Sequence, residues 1–236
     1  MGRITALLMA LVALLFGSIT APALAQNPTV SERVRAVKAY LEENQPVLRQ
    51  YKWTETTIIS VDGAEKSRTQ LRCSYGADGT IRKVPVQPPA QKNKKLAMLN
   101  NSGKKDKQET PAYMQDAVKI IHMYLPLNPG GLQAVTDNSK LSFSETDPAK
   151  RGRLTIRDFV IRGDRVDLDL DLTNNRPVSL SINGFLTTDQ DPFNMTVTFG
   201  TLYGSAVFAR ETVLTSKQKK LNIVVTTTDY HEITQE

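Results

Sequence analysis

Asp167, Asp169 and Asp171 stand at every second position of one segment, and on a strand that spacing places them on one face about 6.5–7 Å apart. Such a row could bracket a cation. Calcium, however, takes six or more oxygens converging from a bent loop, and a straight strand splays its side chains. The reading is therefore a solvated outer face, paired with arginines or lysines on adjacent strands. The chain has two histidines. His122 flanks the apolar stripe of a helix and His231 falls at the end of the last strand, and neither has a histidine or cysteine neighbour at metal-ligand spacing. Glu55 and Asp158 are acids whose partners the sequence does not identify. G-x-S-x-G, P-loop and H-E-x-x-H patterns are absent. With no base, nucleophile or metal set in view, the sequence reads as that of a non-enzyme without cofactor or metal.

Two further chemistries concern single side chains and charge. Cys73 is the one cysteine. In Leu71-Arg72-Cys73-Ser74-Tyr75 it alternates with Leu71 and Tyr75, as a small buried apolar residue would; an intermolecular disulfide or a reactive thiol are the alternatives. The formal charge is +6, and it is unevenly spread. Lys92, Lys94, Lys95, Lys104, Lys105 and Lys107 share a stretch with one acid, Asp106, and with Asn100, Asn101, Ser102 and Gly103. This lysine-rich loop, 87–109, is a candidate contact for an anionic membrane surface or an envelope partner; a solvated linker is the plain alternative. Basic residues concentrated in a loop do not make the basic and aromatic sheet face that binds single-stranded nucleic acid, so nucleic acid is not an expected partner.

The first 25 residues read as a cleaved secretory signal peptide. Arg3 gives a positive start, Ile4 to Phe16 is nearly all apolar, and Ala23-Leu24-Ala25 satisfies the small-residue cleavage rule before Gln26. The apolar run is shorter than the ~20 residues of a spanning helix. The expected location is the periplasm or the exterior, and residues 26–236 read as a single domain, expected to be a monomer.

The elements that would position these residues follow from periodicity. Thr29 and Glu32 have capping-box spacing, and Val30, Val34, Val37 and Leu41 recur at helical intervals, with Pro46 as the expected stop. Strands are expected over Tyr51 to Val61, Arg68 to Tyr75 and Thr80 to Val86, separated by Asp62-Gly63 and Asp78-Gly79 turns. A second helix opens at Thr110-Pro111 and carries Met114, Val118, Ile121 and Leu125, widened by Ala117, Ile120 and Tyr124. Asn128-Pro129-Gly130-Gly131 is expected to close it. From Leu141 to Ile233 the chain reads as a meander. Val166, Leu168, Leu170 and Leu172 alternate with the three aspartates; Val178, Leu180 and Ile182 alternate with Ser179, Ser181 and Asn183; Phe193, Met195, Val197 and Phe199 alternate with Asn194, Thr196 and Thr198. Each strand has one apolar face that something must cover. Strands grouped before and after a helix, without βαβ alternation, imply α+β with an antiparallel sheet. About nine strands curl strongly, so the expected form is an open half-barrel with two main helices over its concave face.

That order resembles the periplasmic lipoprotein-carrier superfamily (LolA/LolB-like). The likeness rests on the opening helix from Val30, on Tyr51-Lys52-Trp53-Thr54-Glu55-Thr56 and on Tyr75-Gly76-Ala77-Asp78-Gly79. The segment from Asp191 to Phe199 and the terminal Val225-Thr226-Thr227-Thr228-Asp229-Tyr230 add to it. The resemblance implies non-catalytic binding or carriage of lipid, acyl chains or lipoproteins in an apolar cavity between sheet and helices. Candidate cavity-lining residues are Trp53, Leu168, Leu170, Leu180 and Ile182, with Phe193, Met195, Val197 and Phe199 from the later strand. The alternative is a cell-envelope interaction, scaffold or sensor module in which the same residues are simply packed core.

Overall fold

The computed structural model describes residues 28–86, 112–134, 140–147, 150–186, 191–202 and 206–233. Residues 1–25, the lysine-rich stretch 87–109 and Thr110-Pro111 lie outside them. Ten strands form one antiparallel sheet in the order β3-β2-β1-β10-β9-β8-β7-β6-β5-β4. They are β1 (Tyr51–Val61), β2 (Ala64–Tyr75), β3 (Ile81–Pro85), β4 (Leu141–Asp147), β5 (Arg151–Arg157), β6 (Arg165–Asp171), β7 (Arg176–Phe185), β8 (Pro192–Thr201), β9 (Val207–Ser216) and β10 (Leu221–Glu232). Each is hydrogen-bonded to its sequence neighbour, except that the first hairpin group joins the last strand through β1 and β10. β3 and β4 are the two edges, so the sheet is open, an α+β half-barrel. The chain between those edges carries two of the three helices among the described residues.

Local chemistry explains most boundaries. α1 (Val30–Leu48) starts at a complete capping box: Glu32 N–H donates to Thr29 Oγ1, and Thr29 N–H donates to Glu32 Oε2 at 2.7 Å. The β1–β2 turn is the two-residue Asp62-Gly63, with φ of 52° and 78°. Positive φ at both positions gives the primed turn that matches strand twist, and only glycine adopts it freely. The second strand accordingly starts at Ala64, earlier than its alternation suggests.

Two expectations are corrected. Pro46 does not stop α1, which runs another half-turn to Leu48 with Pro46 inside it. The exposed Pro46 faces solvent, while Asn44, Val47 and Leu48 on either side of it are buried or half-buried; their packing outweighs the lost helical bond. Asn128-Pro129-Gly130-Gly131 does not simply end α2 (Ala112–Tyr124) but opens a third helix, α3 (Pro129–Ala134). Pro129 occupies the first helical position, and Asn128 Oδ1 accepts from Gly130 N–H at 2.8 Å. Leu132 of α3 is then buried in the core.

The core sits between α1, α2 and the central strands. Val37 and Leu41 from α1 and Met114, Ala117, Ile120 and Ile121 from α2 pack onto the apolar faces of β5 to β10. Each fully buried Leu or Ile contributes about 1.5–3 kcal/mol relative to exposure. One register shift alters the expected pattern: between β6 and β7, Leu170 lies opposite Pro177 rather than Val178. Val178 is the extra residue of the bulge and is only half-buried, while Pro177 takes its place in the interior.

Candidate functional site

Where the first three strands meet β10, the inward face changes from aliphatic to aromatic and charged. Trp53 on β1 lies opposite Cys73 on β2, which lies opposite Lys83 on β3. Period two then brings Tyr51 and Glu55, Tyr75, and Ile81 to the same face. At Trp53 the β1–β10 register slips: Lys52 pairs with His231 and Thr54 with Thr228, so Asp229 and Tyr230 together face one residue. Asp229 absorbs the bulge at φ 54°. Tyr230 lies parallel to Trp53, with ring centroids 5.7 Å apart and an interplanar angle of 11°. Tyr75 leans on the indole at 5.4 Å, and Phe208 of β9 meets Tyr230 at 4.3 Å. Such contacts add roughly 0.5–1.5 kcal/mol per pair beyond area burial.

Helix ends roof this aromatic wall, and each is pinned by a buried polar contact. Asn44 of α1 donates through Nδ2 to the Val207 carbonyl at 2.8 Å and accepts at Oδ1 from the Val207 N–H at 2.7 Å. Tyr124, the last residue of α2, donates its hydroxyl to Asp164 Oδ2 at 2.6 Å. Asp164 is only 2% exposed, and its carboxylate also accepts the N–H groups of Phe159, Val160 and Ile161. The β5–β6 turn therefore folds around one carboxylate and presents it to α2. Burial, and then the Asp164 hydrogen bond, push the Tyr124 phenol far above the ordinary tyrosine range.

Between wall and roof lies a cavity of about 180 Å³. α1 contributes Leu41 and Leu48, and its C-cap contributes Arg49; the end of α2 and the following segment contribute Ile121, His122 and Leu125; Phe199, Val207 and Val225 close the side toward the main core. Apolar and aromatic side chains make most of its lining, with a short charged stretch on β1 and β3. There Lys83 Nζ donates to both oxygens of Glu55, at 2.8 and 3.0 Å, with the side chains only 25% and 12% exposed. His122, itself exposed on the outer rim of α2, has its imidazole held below the usual range, chiefly by partial desolvation from the chain around it and secondarily by Lys83. Burial, followed by the nearby Glu55 charge, pushes the Cys73 thiol up to about 11. A thiol so placed is a packed apolar group rather than a nucleophile. The Tyr230 phenol is also raised, again mainly by burial.

The residues singled out from sequence separate into two sets. Trp53 and Phe199 line the cavity. Leu168, Leu170, Leu180, Ile182, Phe193, Met195 and Val197 are all in the packed core, none more than 3% exposed. Lys92, Lys94, Lys95, Lys104, Lys105 and Lys107 lie outside the described residues. Asp169 pairs with Arg153 and Asp171 with Arg176 on the neighbouring strands, as expected, whereas Asp167 is buried rather than solvated and pairs with Arg165 of its own strand and with the Thr155 hydroxyl; among the described residues no group of acids, histidines or cysteines is gathered around a metal position. Glu55 finds Lys83, and Asp158 lies 3.5 Å from Lys140. The cavity residues that sequence reasoning passed over are Tyr75, Phe208, Tyr230 and the Glu55–Lys83 pair. Their signal was weak but present: aromatics recurring in the first two and last two strands, and one acid and one base at inward positions of otherwise apolar faces.

Comparison with known proteins finds no matching family model and no matching curated protein. Among solved structures, the chain is similar to a DUF1329 family protein from Desulfovibrio piger, at 9% identity and a TM-score of 0.46, covering 89% of this chain and 95% of that one. It is also similar to a LolA superfamily protein from Nitrosomonas europaea, at 8% identity and 0.41, with 89% and 96% covered. A third is a putative outer membrane lipoprotein-sorting protein domain from Vibrio parahaemolyticus, at 10% and 0.40, with 88% and 95% covered. The LolA superfamily is the one the element order resembles. At these identities and TM-scores no residue role passes from those proteins to this one.

Proposed function

We propose that the protein binds a single acyl chain or comparable apolar group, without catalysis, in the periplasmic compartment to which its N-terminal segment directs it. The observation that carries this reading is the aromatic-walled cavity between the helix ends and the β1–β3/β10 end of the sheet. Elsewhere the same sheet face is filled by its own side chains. Each methylene removed from water contributes about 0.8 kcal/mol, so a short length of chain against Trp53, Tyr75 and Phe199 is held without a dedicated polar contact. Pockets for drug-sized ligands measure ~300–1,000 Å³. A cavity of about 180 Å³ matches part of one chain better than a multiply acylated anchor, unless α1 and α2 separate. Carriage of a whole lipoprotein anchor therefore requires those helices to move apart. The lysines between 92 and 107 are the proposed contact with an anionic membrane surface.

One observation favours a second reading, an envelope interaction module with no ligand: seven of the nine expected lining residues are packed core. Two measurements on one preparation decide between them. Protein purified from the compartment to which it is exported is extracted with organic solvent and the extract analysed by mass spectrometry. The delipidated protein is then titrated with a neutral C12 alcohol while the emission of Trp53, the single tryptophan, is followed. Co-purifying lipid together with a saturable emission change supports acyl binding. An empty extract with unresponsive emission leaves the filled-core module.

A further inference from the structure

Resting on the reading of the cavity as an acyl site, we propose that its preferred ligand is an anionic amphiphile, with the acid group held at the mouth by Arg49 and the chain running inward along Trp53. Among the described residues three charged side chains line the cavity: Arg49, Glu55 and Lys83. Glu55 and Lys83 neutralise each other through the two short contacts given above. His122, held below its usual range, adds little positive charge at neutral pH. Arg49 is the remaining charge, and it has no carboxylate partner among the described residues. Counted over the groups that line the cavity, the excess is one guanidinium and the inner wall is neutral; Glu232, which accepts from the Tyr51 hydroxyl, lies with Arg49 along the adjoining outer groove.

Arg49 is exposed at the rim, and two features place it there. It is the residue that caps the C-terminal end of α1, and its guanidinium rests over Gly79 in the β2–β3 turn. A Cβ added at Gly79 would sit 2.7 Å from Arg49 Nη2, and Gly79 has φ +79°. Glycine adopts that backbone without strain, and its missing side chain leaves the guanidinium room to lie over the turn. Tyr75 and Ile81 lead from the notch along β2 and β3 to Lys83 and Trp53. A planar guanidinium at the rim of an aromatic slot suits a carboxylate or a phosphate ester, which it can meet with two parallel donors.

A cationic head group is the competing chemistry, because aromatic faces attract quaternary ammonium. The geometry disfavours it. The facing surfaces of Trp53 and Tyr230 are stacked on each other, and the one carboxylate is already paired with Lys83. The partial negative charge at the C-terminal end of α1 offsets part of Arg49, so the preference for an anion should be moderate.

The test uses the delipidated protein and Trp53 emission, with dodecanoate, dodecanol and dodecyltrimethylammonium titrated below self-association at low salt. Dodecanoate is expected to bind about tenfold more tightly than the other two, the size of one charge-assisted contact, with the advantage shrinking as salt rises. Arg49→Gln should reduce the preference to about threefold or less. Arg72→Gln, which removes the same charge from the outer face of β2, should retain it. Equal binding of dodecanoate and dodecanol would overturn the anionic assignment while leaving the acyl site standing. Tighter binding of the trimethylammonium compound, or an unchanged preference in Arg49→Gln, would overturn it as well. A response to none of the three would remove both this assignment and the acyl site.

Discussion

Asn44 and Val207 are 163 residues apart in sequence, yet the Asn44 amide meets both backbone groups of Val207, as donor at 2.8 Å and as acceptor at 2.7 Å. The contact copies one rung of a β-ladder with a side chain, and it fixes the C-terminal half of α1 against β9 at the edge of the cavity. The helix therefore cannot slide over the sheet without exposing a buried N–H and a buried carbonyl.

Asn44→Ala should cost about 2–4 kcal/mol, because two buried backbone groups lose their partners. Urea unfolding measures it, with the midpoint shifted and the slope preserved. A loss below about 0.5 kcal/mol would show that water replaces the amide there.

Tyr124→Phe removes one of four donors to Asp164 and should destabilise by about 1.5–3 kcal/mol, the range for a hydrogen bond to a charged group. Tyr124 also predicts alkaline behaviour. Its folded pKa is raised, so its contribution is fully present below the unfolded value near ~10 and is lost as pH rises above it. In the wild type, stability should fall more steeply above pH ~10 than in Tyr124→Phe; parallel curves would contradict the coupling.

His122 gives the acid-side counterpart. Its folded pKa is depressed, so the unfolded chain binds the proton more readily. Its contribution is intact above the unfolded value of ~6.5 and declines as pH falls from there toward the lower folded value. Thermal melts between pH 7.5 and 5 should show a shallower loss in His122→Gln than in the wild type. An identical slope in both would place the imidazole in open solvent.

Cys73 is fully buried, with a thiol pKa of about 11. A disulfide reagent at pH 7.5 should leave it unmodified in the native protein and modify one thiol per chain after unfolding in urea. Prompt native-state reaction would mean that β2 opens readily at this site.

Replacing Lys92, Lys94, Lys95, Lys104, Lys105 and Lys107 with glutamine should weaken sedimentation with anionic vesicles at low salt, since each lysine near such a surface contributes about 1 kcal/mol. On the reading of this stretch as a solvated loop, thermal stability should change little, since substitutions in such loops usually stay within about 0.5 kcal/mol. Equal vesicle binding by both proteins would assign this segment no membrane role.

Local pattern determined the fold to a large extent. The capping box at Thr29, the Asp62-Gly63 turn and the alternation from Val166 to Phe199 each act through residues only a few positions apart. Helix and strand periods, turn type and sidedness are therefore readable from the chain itself. Sidedness also separated the outer Asp167, Asp169 and Asp171 from the inner Leu168 and Leu170. What the alternation could not convey is what lies opposite each inward residue. Trp53 and Leu168 have the same local signature, yet Leu168 packs under the helices while Trp53 faces the cavity. That difference depends on where α1 and α2 end above the sheet, through Asn44 on Val207 and Tyr124 on Asp164, contacts spanning 163 and 40 residues. The bulge opposite Trp53 turns Tyr230 onto the indole, and the register of three strands brings Glu55 to Lys83. Both depend on pairing between distant strands, and no run of neighbouring residues encodes it. The sequence by itself determined an open antiparallel sheet with an apolar face and helices to cover it; tertiary structure alone decided which part of that face is filled and which is left open.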